Sequence, residues 1–110
     1  MRLALTIVAA DGAELPAGSS VSVQLRDTSF EDAPARVLDE WAQTVPEHAQ
    51  SLPLQVEIAD DLVDAGDATW WVHVDSDGDG RLGRGDYVTM QAYPLRPGDA
   101  AVTLQVKRIG

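Results

Sequence analysis

Residues 75 to 86 read Asp-Ser-Asp-Gly-Asp-Gly-Arg-Leu-Gly-Arg-Gly-Asp. Carboxylates stand at positions 1, 3, 5 and 12 of this dodecamer, with glycine at 6 and an aliphatic residue at 8. A hard cation such as calcium takes six to eight oxygens at roughly 2.3–2.6 Å, and this spacing wraps such a set around one point. The candidate ligands are the side chains of Asp75, Asp77 and Asp79, the backbone carbonyl of Arg81, and Asp86 as the closing group. Gly80 permits the sharp turn between them. The loop pattern D-x-[DN]-x-[DN]-G-x5-E is met throughout, except that Asp replaces the final Glu. Independent placement of Asp and Gly at this chain's frequencies supplies about 0.002 such matches per chain, so a cation loop is preferred over an acidic hairpin turn.

Two departures lower the expected affinity. Asp at position 12 is one methylene shorter than Glu, and Arg81 and Arg84 add positive charge beside the ligands. A dissociation constant on the order of 10⁻⁵ to 10⁻³ M follows, the range of a structural or extracellular site. Gly78-x-Gly80-x-x-Gly83 formally matches a dinucleotide fingerprint, but no helical pattern follows it. Asp77 and Asp79 would also repel a pyrophosphate where bare amides are needed.

Other titratable residues carry less. His73 precedes Asp75 by two residues, but an oxygen-rich site does not readily recruit imidazole. His48, in a Pro-flanked loop, reads as solvated. Asp60, Asp61, Asp64 and Asp67 surround Leu62-Val63 and read as a solvated acidic turn. Catalytic carboxylate pairs need environments that separate their pKa values, and no nucleophile–histidine–acid pattern emerges, so no enzyme is expected.

The elements that must position the loop are strands. Leu3, Leu5 and Ile7 alternate with polar or small residues, as do Val21, Val23 and Leu25, then Leu54, Val56 and Ile58, and finally Val102, Leu104 and Val106. Trp70, Val72 and Val74 share one face of a further strand, with Thr69, Trp71 and His73 on the other, and a strand over Tyr87–Tyr93 follows the loop. One of the adjacent pair Trp70 and Trp71 belongs to the core; the other is a surface anchor or is covered by the Asp32–Val45 segment. Short alternating runs separated by Gly, Pro and Asp clusters predict an all-β fold, an antiparallel β-sandwich of about seven to nine short strands. The cation loop therefore joins two strands, and the helix-opening switch of calcium sensors has no mechanical basis here. One segment resists: Val37, Leu38, Trp41, Ala42 and Val45 fit helical spacing, with Pro34 near a plausible start.

The 110 residues suffice for one domain, 1–110, with a single core. A net charge of −10 argues against unaided nucleic-acid or anionic-membrane binding. There is no cysteine, so disulfides, thiolate zinc sites and cysteine nucleophiles are excluded. Met1-Arg2 runs into Leu3–Ala10, too short and too alternating for a transmembrane helix. As written the chain reads as soluble and cytoplasmic, or as a protein of the bacterial periplasm or cell envelope if a signal peptide has been removed.

Leu15-Pro-Ala-Gly-Ser-Ser-Val-Ser-Val-Gln-Leu-Arg-Asp-Thr-Ser, followed by Glu31-Asp-Ala-Pro-Ala, resembles the YbaY/YscW family of small bacterial envelope lipoproteins, which includes pilotin-type chaperones of secretion systems. Ser51-Leu-Pro-Leu-Gln-Val-Glu-Ile and Ala92-Tyr-Pro extend the resemblance over most of residues 3 to 108. It implies a β-sandwich that binds or chaperones another protein and catalyses nothing, and it favours strand over helix for residues 35 to 44. The lipid-bearing cysteine of such lipoproteins is missing, and the acidic loop is an addition to the pattern. The expected function is a non-catalytic protein-interaction domain with one structural calcium. The alternatives are a calcium-regulated adhesion or assembly module and a small carbohydrate-active domain.

Overall fold

Alternation in the sequence becomes alternation in burial. In β1 (Arg2–Ala9), Leu3, Leu5, Ile7 and Ala9 point inward, and in β2 (Ser20–Asp27), Val21, Val23 and Leu25 do the same. A strand's period of two puts every second side chain on one face, so each run supplies one wall of the core. The remaining elements are β3 (Arg36–Thr44), β4 (Leu52–Glu57), the helix α1 (Asp60–Ala65), β5 (Ala68–Asp75), β6 (Tyr87–Val88) and β7 (Ala101–Arg108). This computed structural model describes residues 1–29 and 35–110. Glu31–Pro34 of the family-like motif, and with them the Pro34 helix start, lie outside the described residues.

The seven strands are hydrogen-bonded in one order, β3-β2-β5-β6-β7-β1-β4, which coils into a nearly closed barrel. This differs from two stacked sheets. The join is β6, only two residues long, which pairs His73↔Val88 and Val74↔Tyr87 on one side and Tyr87↔Arg108 and Val88↔Lys107 on the other. Pairing is also not wholly antiparallel: β1 and β7 run parallel, with Ile7 beside Leu104 and Ala9 beside Val106. Periodicity is blind to both features, because neither pairing partner nor strand direction changes which residues alternate.

The interior is one cluster to which β1, β2, β4, β5 and β7 all contribute, with Trp70, Leu3, Leu5, Ile7, Leu25, Leu52 and Leu104 among its largest fully buried side chains. Each such aliphatic side chain contributes roughly 1.5–3 kcal/mol by leaving water. Residues 36–44 are a strand, as the resemblance implies and against the helical spacing. The reason is Trp41, which faces inward opposite Val23 and packs tilted on Trp70 at 5.6 Å between ring centroids. A register shift between Leu25 and Arg26 adds one residue to β3, and that bulge imitates a helical phase in the apolar pattern.

The acids of the 60–67 run are exposed, as expected of a solvated segment, but Asp60–Ala65 folds as a helix rather than a turn, with Asp67 beyond its end. Asp60 and Asp61 occupy its first turn, where exposed amides favour negative charge. Val63 is buried against the barrel, and Gly66 ends the helix in the left-handed conformation with φ 77°. No helix among the described residues is long and apolar enough to cross a membrane.

Candidate metal centre

Asp75 is the last residue of β5 and Asp86 immediately precedes β6, so the hairpin fixes both ends of the acidic loop. Asp75 is buried; its Oδ1 accepts the Gly78 N–H at 3.1 Å and its Oδ2 the Gly80 N–H at 2.8 Å. Asp77 Oδ1 accepts the Asp79 N–H at 3.3 Å, and Asp79 Oδ1 accepts the Arg81 N–H at 2.9 Å. Each acid thus folds the backbone two to five residues ahead of it around its own carboxylate. Gly80, at φ 76°, makes the turn that brings its amide back to Asp75. The far end of the loop is tied to the chain terminus: Gly85 N–H donates to Ile109 O at 2.7 Å, and Ile109 N–H to Asp86 O at 2.8 Å.

Asp75, Asp77, Asp79 and Asp86 each offer an oxygen, and these four atoms lie within 4.8 Å of one another. Two oxygens on opposite sides of a calcium ion are about 4.6–5.2 Å apart, so the set has the dimensions of one coordination shell. Four carboxylates this close repel one another. Asp77 is held above the usual carboxylate range, chiefly by its hydrogen bond with Asp75. Asp75 is held below it: burial alone would raise it, but the Gly80 N–H, Asp77 and the Gly78 N–H outweigh that.

Asp86 departs from its expected role as an open closing ligand. It is fully buried, and its Oδ1 accepts both the N–H and the hydroxyl of Ser76 at 2.9 Å. Its Oδ2 accepts the Gly83 N–H at 3.2 Å and lies 2.9 Å from His73 Nε2. A carboxylate has about four lone-pair positions, so these contacts occupy all of them. A metal would reach Asp86 only by taking the place of one of these partners. His73, not expected as a ligand, supports Asp86 from beneath, and with Asp75 and Asp86 it forms a second group of ligand atoms within 4.8 Å of one another. Ser76 and His73 left no motif; the one available signal was that His73 shares a strand with Asp75 two residues away.

Outside the loop, Trp70 is the core tryptophan, and Trp71 faces outward beneath the Arg26 guanidinium, whose carbon lies 3.9 Å from the ring centroid. The described part of the Asp32–Val45 segment covers Trp70, through Trp41. The expected Tyr87–Tyr93 strand stops at Val88.

A small, nearly all-β and nearly closed barrel, joined through a short bridging strand, defines the structural class. Residues 2–82 match the family described as type III secretion system lipoprotein chaperone (YscW), and the chain belongs to that family. The fold is similar to that of an alternative pilotin from the type II secretion system of Vibrio cholerae. The two share 18% sequence identity with a TM-score of 0.78, covering 100% of this chain and 97% of that chain. No curated protein matches the sequence. The family match ends at Leu82, inside the acidic loop, so Asp86, β6 and β7 lie beyond it.

The family-like motif has a physical reading in the barrel. Leu15 is buried with its N–H bonded to Ala49 O at 2.9 Å, and the Gly18 N–H donates to Val45 O at 2.8 Å. Val21, Val23 and Leu25 then face the core while Gln24 and Arg26 face out. Pro94 of the Ala92-Tyr-Pro triplet bridges to Thr69, and the Tyr93 hydroxyl accepts the Gln105 N–H at 3.0 Å, stitching this segment to β7.

Proposed function

We propose that this chain is a non-catalytic, chaperone-like protein-binding domain of the bacterial cell envelope that holds one structural calcium ion in its 75–86 loop. The observation that carries the first part is the family match over residues 2–82, on a fold shared with a pilotin. The test is chemical cross-linking of the tagged chain in its native cell, followed by deletion of its gene. A secretion-system component should be captured, and its abundance or placement in the envelope should fall on deletion. Capture without any such dependence would overturn the chaperone reading.

The calcium part is supported by the four carboxylate oxygens within one coordination diameter. Asp75, Asp77 and Asp79 would supply side-chain oxygens and Arg81 its carbonyl, with Asp86 joining by exchange of a present partner. The ion would neutralise the loop and hold the hairpin; its chemistry is charge and coordination only. Titration of metal-stripped protein with calcium, read by tryptophan fluorescence and melting temperature, tests it. Binding that acts on the folded state stabilises by about 2.7 kcal/mol at hundredfold excess over Kd, a rise of roughly 10 °C for a domain of this size. A flat titration to millimolar calcium would reduce the loop to an acidic turn.

A further inference from the structure

The β5–β6 ladder has an interruption that makes a groove. Thr89 N–H donates to Val72 O at 3.1 Å, but Val72 N–H bonds the Thr89 hydroxyl at 3.2 Å in place of a backbone carbonyl. The chain then arches away and rejoins β5 only where Trp70 N–H donates to Tyr93 O at 2.9 Å. Beneath the arch lies an open groove of about 300 Å³, at the small end of ligand pockets. Its lining includes Thr69, Trp71 with the Arg26 guanidinium stacked over its ring, and Thr89 with Met90, which is 57% exposed.

The described lining of this groove differs in charge from the molecule as a whole. The chain carries −10, yet no carboxylate is among the described lining residues and Arg26 is their one cation. Arg26 takes part in none of the ion pairs among the described residues; its Nε donates to Gln24 Oε1 at 2.7 Å. Glu40, the acid across the sheet, is engaged by Ser22 and Gln24 and acts on Arg26 through its charge without pairing with it directly. Hydroxyls complete the set. The Thr89 oxygen accepts from Val72, which leaves its own O–H to donate. Thr28 and Thr69 are bonded to each other at 3.0 Å, and Thr28 also donates to Asp67 O, so the pair presents acceptor lone pairs outward.

We propose that this groove docks an extended segment of a partner protein in which an apolar side chain stands beside a carboxylate. The apolar side chain would lie between Trp71 and Met90, and methionine adapts to varied shapes. The carboxylate would pair with Arg26, whose planar fork suits it, and backbone N–H groups would meet the threonine oxygens. The proposal rests on the reading of this chain as a protein-binding domain and assigns that reading a place on the molecule.

The test is amide chemical-shift mapping on the isotope-labelled full chain with three blocked tetrapeptides, Gly-Leu-Glu-Gly, Gly-Leu-Gln-Gly and Gly-Ser-Glu-Gly. The Leu-Glu peptide should shift the amides of residues 69–71 and 89–91, and the Leu-Gln and Ser-Glu peptides should bind about tenfold more weakly. Arg26→Gln should remove the preference for Glu over Gln, Arg26→Lys should keep part of it, and raised salt should weaken it. Unchanged spectral dispersion shows that each variant is folded. Equal shifts with the Glu and Gln peptides, or no shifts with any, would overturn the groove assignment. Shifts confined to another face would overturn it too, while leaving the protein-binding reading standing; that reading falls only if gene deletion affects no captured partner.

Discussion

Asp86 is fully buried, and burial alone would raise its carboxyl pKa. Hydrogen bonds from His73 and from the Ser76 N–H and hydroxyl outweigh that and hold it below the ordinary carboxylate range. A depressed folded pKa means the unfolded chain binds the proton more readily. The stability Asp86 contributes is therefore complete above the unfolded value of about 3.9 and lost as pH falls through the lower folded one. Asp86→Asn should cost about 1–3 kcal/mol in urea unfolding at neutral pH, because the Gly83 N–H loses its charged acceptor, and should flatten the stability loss below pH 4. Asp75 and Asp79 separate in the same way. Asp75 is buried and accepts two backbone N–H groups, so Asp75→Ala should lower the urea midpoint even without metal. Asp79 is exposed, so Asp79→Ala should leave the metal-free midpoint unchanged and abolish the rise in melting temperature with calcium. The raised Asp77 carboxyl gives calcium binding a pH dependence as well: affinity should fall on acidification, measurable by titration at neutral and mildly acid pH.

Among the elements, β3 and α1 show where local pattern loses to packing. Val37, Leu38, Trp41 and Ala42 keep a helical phase, yet one bulge and one aromatic contact place them in a strand at the sheet edge. Trp41→Ala should lower stability by about 2–3 kcal/mol, somewhat below the cost of emptying a fully buried aromatic site, in a denaturant titration. An unchanged midpoint would mean that Trp41 does not hold β3. At α1 the acidic composition reads as a turn, but the buried Val63 and the left-handed Gly66 close a short helix. Gly66→Ala should cost roughly 1 kcal/mol, because alanine is strained at that φ. The loop itself was legible as an element, since its spaced carboxylates and glycines are what turn its backbone. The arch after Thr89 was not: Met90-Gln91-Ala92 continues the alternation of a strand, and only the Thr89 hydroxyl bonding Val72 and the return at Tyr93 show that it leaves the sheet.

At the scale of the molecule, a barrel that does not quite close has two edges, β3 and β4. Pro53 interrupts the donors of β4, and β3 carries the bulge and Asp39, whose Oδ1 accepts the Glu40 N–H at 2.9 Å. Such features discourage edge-to-edge pairing, and a net charge of −10 adds repulsion between copies. The protein should sediment as a monomer at high micromolar concentration, whereas Asp39→Thr with Glu40→Thr should raise self-association; a wild-type dimer at low micromolar concentration would contradict this. The sequence by itself determined the β-rich class, the inward residues of β1, β2, β5 and β7, the acidic loop and the family, because period-two alternation and the spacing of carboxylates and glycines are local and survive any choice of partner strand. The tertiary structure alone decided that the strands form one coiled order, that β1 runs parallel to β7, that His73 and Ser76 occupy Asp86, and that a groove opens beside Arg26. Each of these depends on which distant segments meet, and hydrogen bonding between segments leaves no periodic trace in either one.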